Sequence, residues 1–174
     1  LVFRPADVVE TFECWRIAVA EQKSPSVLAL SRQKTPAVRT EAASENLSAR
    51  GAYVLRDADG PAQATLFASG TEVAIALEAR DRLQADGVPT RVVSVPCVEL
   101  FERQPRDYQM GVIGRGTARV AIEAAVRQGW DRFIGEDGAF VGMSSFGASA
   151  PYEKLYEAFG ITADAVIAEL KARL

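Results

Sequence analysis

Ala64-Thr65-Leu66-Phe67-Ala68 runs without a charge into Ser69-Gly70-Thr71-Glu72, and beyond it the spacing of apolar residues changes. Val73, Ile75, Ala76, Leu77, Ala79 and Leu83 make a broad stripe that Gly87 ends. The first run reads as a buried strand and the stripe as a helix through about residue 85. Thr90 to Val95, rich in β-branched residues, is strand-like again. Strand, helix and strand in this order form a βαβ unit. The class that follows is α/β, an open, mostly parallel sheet with helices on both faces.

Working outward, Ala52 to Arg56 reads as a short strand closed by the turn Asp57-Ala58-Asp59-Gly60-Pro61, and Ala118 to Ile122 repeats the strand pattern. Pro151 to Phe159 and Ala163 to Leu174 are helical in pattern, with Pro151 suited to a first helical position and Gly160 to a helix end. Gly135 to Pro151 interleaves glycines with Phe140, Val141, Met143 and Phe146. It reads as a glycine-permitted loop whose aromatics dock on the sheet or on a neighbouring subunit.

Upstream, Asp7 and Glu10 have capping-box spacing, and Val8, Phe12, Trp15 and Val19 recur on one face, which predicts a helix over 7–22. Val27 to Leu30 has the apolar continuity of a strand buried on both faces, with Ser31-Arg32-Gln33 just past its carboxyl end. Lys34 to Ala49 loses periodicity and reads as an exposed connection. The organisation expected is therefore the tail of one α/β unit with its linker, residues 1–45, followed by a second domain, residues 46–174. The Val27 to Leu30 strand and the Trp15 face call for partners outside this sequence, and the apolar opening at Leu1 suggests a piece of a longer protein.

Composition narrows the chemistry. The 174 residues carry 20 Lys and Arg against 23 Asp and Glu, a formal charge of −3, so no basic footprint for nucleic acid exists. Apolar residues at 48% and charged residues at 25% exclude disorder, and area scaling gives a folded monomer roughly 8,000 Å² of surface. No stretch is long and apolar enough for a membrane helix, so the expectation is a soluble, cytoplasmic protein. Cys14 and Cys97 lack metal-ligand spacing and read as reduced thiols. There is no histidine, which removes Ser/His/Asp and Cys/His catalysis and most catalytic zinc sites.

Few residues remain to carry chemistry. Gly111, Gly114 and Gly116 are in the wrong order, and precede a strand, for a dinucleotide loop. Gly70 sits better, between a strand and a helix start where a phosphate can bind, although a tight turn also explains it. The pairs Asp57/Asp59 and Glu136/Asp137 belong to turns. Arg32 is the sharper candidate. It follows a strand's carboxyl end, where ligands of open α/β sheets bind, and its planar fork suits a phosphate, with Ser31 and Gln33 beside it.

Several strings resemble transketolases. Phe3-Arg4-Pro5-Ala6-Asp7 and Leu28-Ala29-Leu30-Ser31-Arg32-Gln33 resemble the end of the middle, pyrimidine-binding domain. Arg50-Gly51-Ala52-Tyr53-Val54-Leu55, Ala68-Ser69-Gly70-Thr71-Glu72-Val73, Arg91-Val92-Val93-Ser94-Val95-Pro96 and Gly142-Met143-Ser144-Ser145-Phe146-Gly147-Ala148-Ser149-Ala150-Pro151 resemble the C-terminal domain, in order. The resemblance implies a C-terminal fragment of a homodimeric enzyme that transfers a two-carbon ketol unit between sugar phosphates in the pentose phosphate pathway. It implies thiamine diphosphate with Mg²⁺ or Ca²⁺ in the full-length enzyme and neither in this fragment, which is expected to be inactive alone. Arg32, with Ser31, is implied to hold the substrate phosphate; no catalytic, cofactor or metal residue is expected here. Two alternatives stay open. One is the same domain in deoxyxylulose phosphate synthase or the β component of a 2-oxo acid dehydrogenase; the other is a stand-alone small-molecule-binding regulatory module built around Gly70.

Overall fold

The computed structural model describes residues 1–40 and 43–174. In chain order the elements are β1 (Val2–Phe3), α1 (Val8–Ala20), β2 (Val27–Leu28), a 3₁₀ turn at Leu47–Arg50, β3 (Tyr53–Arg56), β4 (Ala64–Ala68), α2 (Glu72–Ala85) and β5 (Thr90–Ser94). Then come α3 (Val98–Glu102), α4 (Arg106–Ile113), β6 (Ala118–Glu123), α5 (Asp131–Ile134), β7 (Ala139–Gly142), α6 (Tyr152–Ala158) and α7 (Ala163–Lys171).

Five strands pair in the order β3-β5-β4-β6-β7, all parallel except β3, which runs antiparallel to β5 along one edge. Period-two alternation sends successive side chains of β4 to opposite layers. Leu66 joins Val73, Ala76 and Leu83 of α2 and Val166 and Leu170 of α7 on one face. Phe67 joins Phe101, Val112, Trp130, Phe133 and Ile134 on the other. There the ring of Phe133 lies 5.1 Å from Phe101, 5.5 Å from Phe67 and 5.6 Å from Trp130, so one aromatic ties α3, β4 and α5 together. Fully burying each such side chain stabilises the fold by about 1.5–3 kcal/mol.

The predicted βαβ unit is present with β4 and α2 at the expected residues, and the α/β class holds. Other expectations need correction. Ala139–Gly142, read as loop, pairs with β6 as the edge strand β7, while Phe146 beyond it is 98% exposed and docks on nothing in this chain. The strand expected over Val27 to Leu30 is only Val27–Leu28, paired with β1 alone among the described residues, and Val27 and Leu30 are exposed instead of buried on both faces. Two short strands cannot bury a face by themselves. Pro151 is the cap before α6, not its first residue.

The Trp15 face of α1, expected to call for partners outside this sequence, is uncovered, and the opposite face buries acids. Val8 is 74%, Phe12 63%, Trp15 52% and Val19 74% exposed, whereas Glu10, Glu13 and Cys14 are buried. The connection read as exposed over 34–49 is partly packed as well, with Val38, Arg39 and Ser48 buried. The accessible surface of 9442 Å² exceeds the roughly 8,000 Å² expected of a self-sufficient monomer of this mass, in keeping with these uncovered apolar residues.

Candidate functional site

The N-terminal segment is joined to the sheet by acids. Asp7 caps α1 by accepting from Glu10 N at 3.0 Å, and its second oxygen accepts from Val38 N and Arg39 N, each at 3.0 Å. Glu10 reaches back to Ala6 N at 2.7 Å and accepts from Tyr53 Oη and Ser94 Oγ, both at 2.6 Å. Burial raises its pKa above the ordinary carboxylate value despite those three donors. Burial also pushes Glu13 upward, but Arg39, 2.6 Å away, and the Ser48 donors outweigh it and leave its pKa lowered. Cys14 and Cys97 are free and buried, their thiols pushed up by burial to about 12 and about 11, so they are protonated and inert near neutrality.

Beyond β1 the chain crosses the carboxyl edge of the sheet between β4 and β6. Connections leave these two neighbours in opposite directions, β4 toward β5 and β6 toward β7, which opens a crevice where doubly wound sheets hold ligands. Here Arg4 fills it. Arg4 N donates to Pro96 O and Arg4 O accepts from Gly70 N, both at 2.9 Å. Its Nε donates to Ser69 Oγ at 3.1 Å, and its Nη2 pairs with Glu123 Oε1. Ser69 Oγ in turn donates to Glu123 Oε2. Glu72, in the first turn of α2, accepts at Oε1 from Thr71 Oγ1 at 2.8 Å and from Tyr156 Oη.

Glu123 ends β6 buried, in hydrogen-bonding contact with Glu72, and its pKa is raised to about 8. Burial is the main cause, the charge of Glu72 adds to it, and Arg4 and Ser69 act against it. Glu72 Oε2 is buried with no donor among the described protein groups. Burial and Glu72 also push the Tyr156 hydroxyl upward, so it remains a donor.

This arrangement speaks against the phosphate reading of Gly70, whose amide already donates to Arg4 O at 2.9 Å. Arg4 occupies the crevice where a diphosphate would lie, and among the described residues no group of three His, Cys, Asp or Glu is placed to hold a metal ion.

Arg32 and Ser31 lie together after β2, both exposed. Ser31 Oγ donates to Gln33 O at 3.0 Å, so its proton is already used. Arg32 takes part in none of the ion pairs among the described residues. A cavity of about 190 Å³ brings Ser31 and Gln33 onto the same walls as Arg4, Gly70, Glu72 and Tyr156. Of these residues the sequence reasoning had singled out Gly70, Ser31 and Gln33; it missed Arg4, Glu72 and Tyr156, and with them Glu123. The available signal was Glu123, an acid closing an otherwise apolar strand at the sheet's carboxyl edge; Arg4 carries no such signal, because its role comes from a crossing made only in three dimensions.

A doubly wound sheet with one antiparallel edge and its crevice closed by an upstream segment defines an α/β domain built to work against another piece of structure. Residues 51–162 match the model of the transketolase-like C-terminal domain, and the chain belongs to the transketolase family. Transketolase of Rhodobacter capsulatus is 53% identical over 178 residues, covering 99% of this chain and 26% of that protein. Transketolase 1 of Escherichia coli is 43% identical, covering 99% and 26%. The solved transketolase of Leishmania mexicana superposes with a TM-score of 0.87 at 40% identity, covering 98% of this chain and 24% of its own. The chain thus spans about a quarter of the length of the curated relatives it matches. No helix is long and apolar enough to cross a membrane among the described residues.

Proposed function

We propose that this chain is the C-terminal part of a transketolase that moves a two-carbon ketol unit between sugar phosphates, and that Arg32 is its handle on the substrate phosphate. Residues 1–45 then close the pyrimidine-binding domain and 46–174 form the C-terminal domain of a cytoplasmic homodimer. Thiamine diphosphate and a divalent metal supply the carbon–carbon chemistry when bound, and they bind outside this chain, whose residues do not fit them. The observation that carries the reading is the state of Arg32: an exposed guanidinium past a strand's carboxyl end, in no ion pair among the described residues and therefore available to an anion. Ser31 assists by donating its hydroxyl proton once its bond to Gln33 O opens.

A charge-assisted bond to phosphate is worth about 1.5–3 kcal/mol, on the order of ten- to a hundredfold in affinity. In the full-length enzyme, Arg32→Ala is expected to raise KM for phosphorylated sugars by that factor while an unphosphorylated acceptor changes little. Equal losses for both substrate types would remove the phosphate role. The 174-residue chain alone is expected to show no ketol transfer with added thiamine diphosphate and Mg²⁺.

A further inference from the structure

The segment Ser31-Arg32-Gln33 has few anchors of its own. It follows β2, which pairs only with β1 among the described residues, Val2 opposite Val27 and Phe3 opposite Leu28. Ala29 N then donates to Phe3 O at 2.8 Å, immediately before Arg4. Whatever fixes Arg4 therefore fixes the strand that leads to Arg32.

Arg4 is held at four points: by Pro96 O and Gly70 N through its backbone, and by Ser69 Oγ and Glu123 through its side chain. The guanidinium faces the buried carboxyl of Glu123, with Glu72 beside it. The groups that face Glu123 are Arg4 from the end of β1, Ser69 after β4, Glu72 from α2 and Tyr156 from α6. Arg4, Glu72 and Tyr156 of this cluster line the cavity of about 190 Å³ together with Ser31 and Gln33.

We infer that Arg4, balanced by the Glu72–Glu123 carboxyl pair, is a positioning residue that sets the place of Ser31-Arg32-Gln33, and with it the phosphate specificity of the enzyme. The inference rests on the phosphate reading of Arg32.

The test uses the full-length enzyme, with KM and kcat measured for phosphorylated and unphosphorylated acceptors in Arg4→Met, Arg4→Lys, Arg32→Ala and the double variant Arg4→Met with Arg32→Ala. Arg4→Met is expected to raise KM for phosphorylated sugars about tenfold, the loss of roughly one oriented charge-assisted bond. Arg4→Lys should recover most of this, and Arg4→Met should add nothing once Arg32 is gone. Equal effects on both substrate types, or an undiminished effect in the Arg32→Ala background, would overturn the positioning role. If Arg32→Ala itself leaves phosphorylated sugars unaffected, it is the phosphate reading that fails. Should Arg4→Met not fold, Ser69→Ala removes the acceptor of Arg4 Nε: KM for phosphorylated sugars is expected to rise severalfold while unphosphorylated ones stay level, and no change, or an equal change for both, overturns the proposal.

Discussion

Helices α1 and α2 have nearly equal lengths, 13 and 14 residues, and opposite insides. Helix α2 buries Val73, Ala76, Ala79 and Leu83 and leaves Glu78, Asp81 and Arg82 in water. Helix α1 buries Glu10 and Glu13 and leaves Val8, Phe12, Trp15 and Val19 in water. Apolar contact is non-directional, so α2 needs only a face of the right width. A buried acid costs several kcal/mol unless its oxygens are met by donors, so α1 can sit in one place only. The difference teaches that the N-terminal segment is located by hydrogen bonds on one side while its adhesive surface is kept for something else.

Removing the joint should have the largest effect. Glu10→Ala takes the acceptor from Ala6 N, Tyr53 Oη and Ser94 Oγ at once and leaves three donors in a buried site. At about 1–3 kcal/mol for each orphaned donor, the loss in stability is expected to reach about 3–6 kcal/mol. Urea denaturation measures it, and limited proteolysis should cut the chain within Lys34 to Thr40 as the segment lifts off while the sheet stays folded. If α1 were held by apolar packing like α2, the substitution would cost less than about 1 kcal/mol and no such cleavage would appear.

The contrast between the helices also marks how far sequence could be read. Strand β4 and helix α2 were legible because each is satisfied inside this chain, so the period of the apolar residues reports the side that is covered. In α1 the same period was legible as a stripe, Val8 to Val19, and its need of a partner outside this sequence agrees with its exposure, but the buried acids on the opposite face were not legible, because a stripe says which residues share a face and not what the other face does. Edge strand β7 was hidden by its glycines, Gly138 and Gly142, which mimic a loop although Ala139 to Val141 pair in register with Val120 to Ile122. Arg32 was singled out from its place after a strand, and the structure leaves it exposed there. The cluster of Arg4, Glu72, Glu123 and Tyr156 was not, since it joins residues up to 152 positions apart by crossings that no local pattern encodes.

The second joint is pH-dependent. Glu123 in the folded chain has its pKa raised from 4.5 to about 8, so the folded state binds more protons than the unfolded one between those values. Its stabilising effect is complete below about pH 4.5 and is lost as pH rises through about 8. Arg4 gains from the same deprotonation and offsets part of the loss, which leaves an expected fall of about 1–3 kcal/mol between pH 5.5 and 9. Glu10, whose pKa is also raised, adds to the fall with the same sign. Denaturation midpoints in Glu123→Gln should therefore fall less than in the wild type over this range. Equal slopes would mean that Glu123 is already ionised in the folded chain and that Arg4 faces both charges.

The smallest expected effect is the one most specific to α1. Phe12→Ser with Trp15→Ser removes two large apolar side chains from a helix, a change that in the interior of α2 would cost several kcal/mol. On the outer face of α1 these side chains touch water, so the urea midpoint of the chain should move by no more than about 0.5 kcal/mol. On the proposed reading, which sets further structure of the full-length protein against this uncovered apolar face, the same pair there should weaken stability by more than that. A cost above about 1 kcal/mol in the chain alone would show the stripe packed within it, and the inversion of α1 against α2 would be lost.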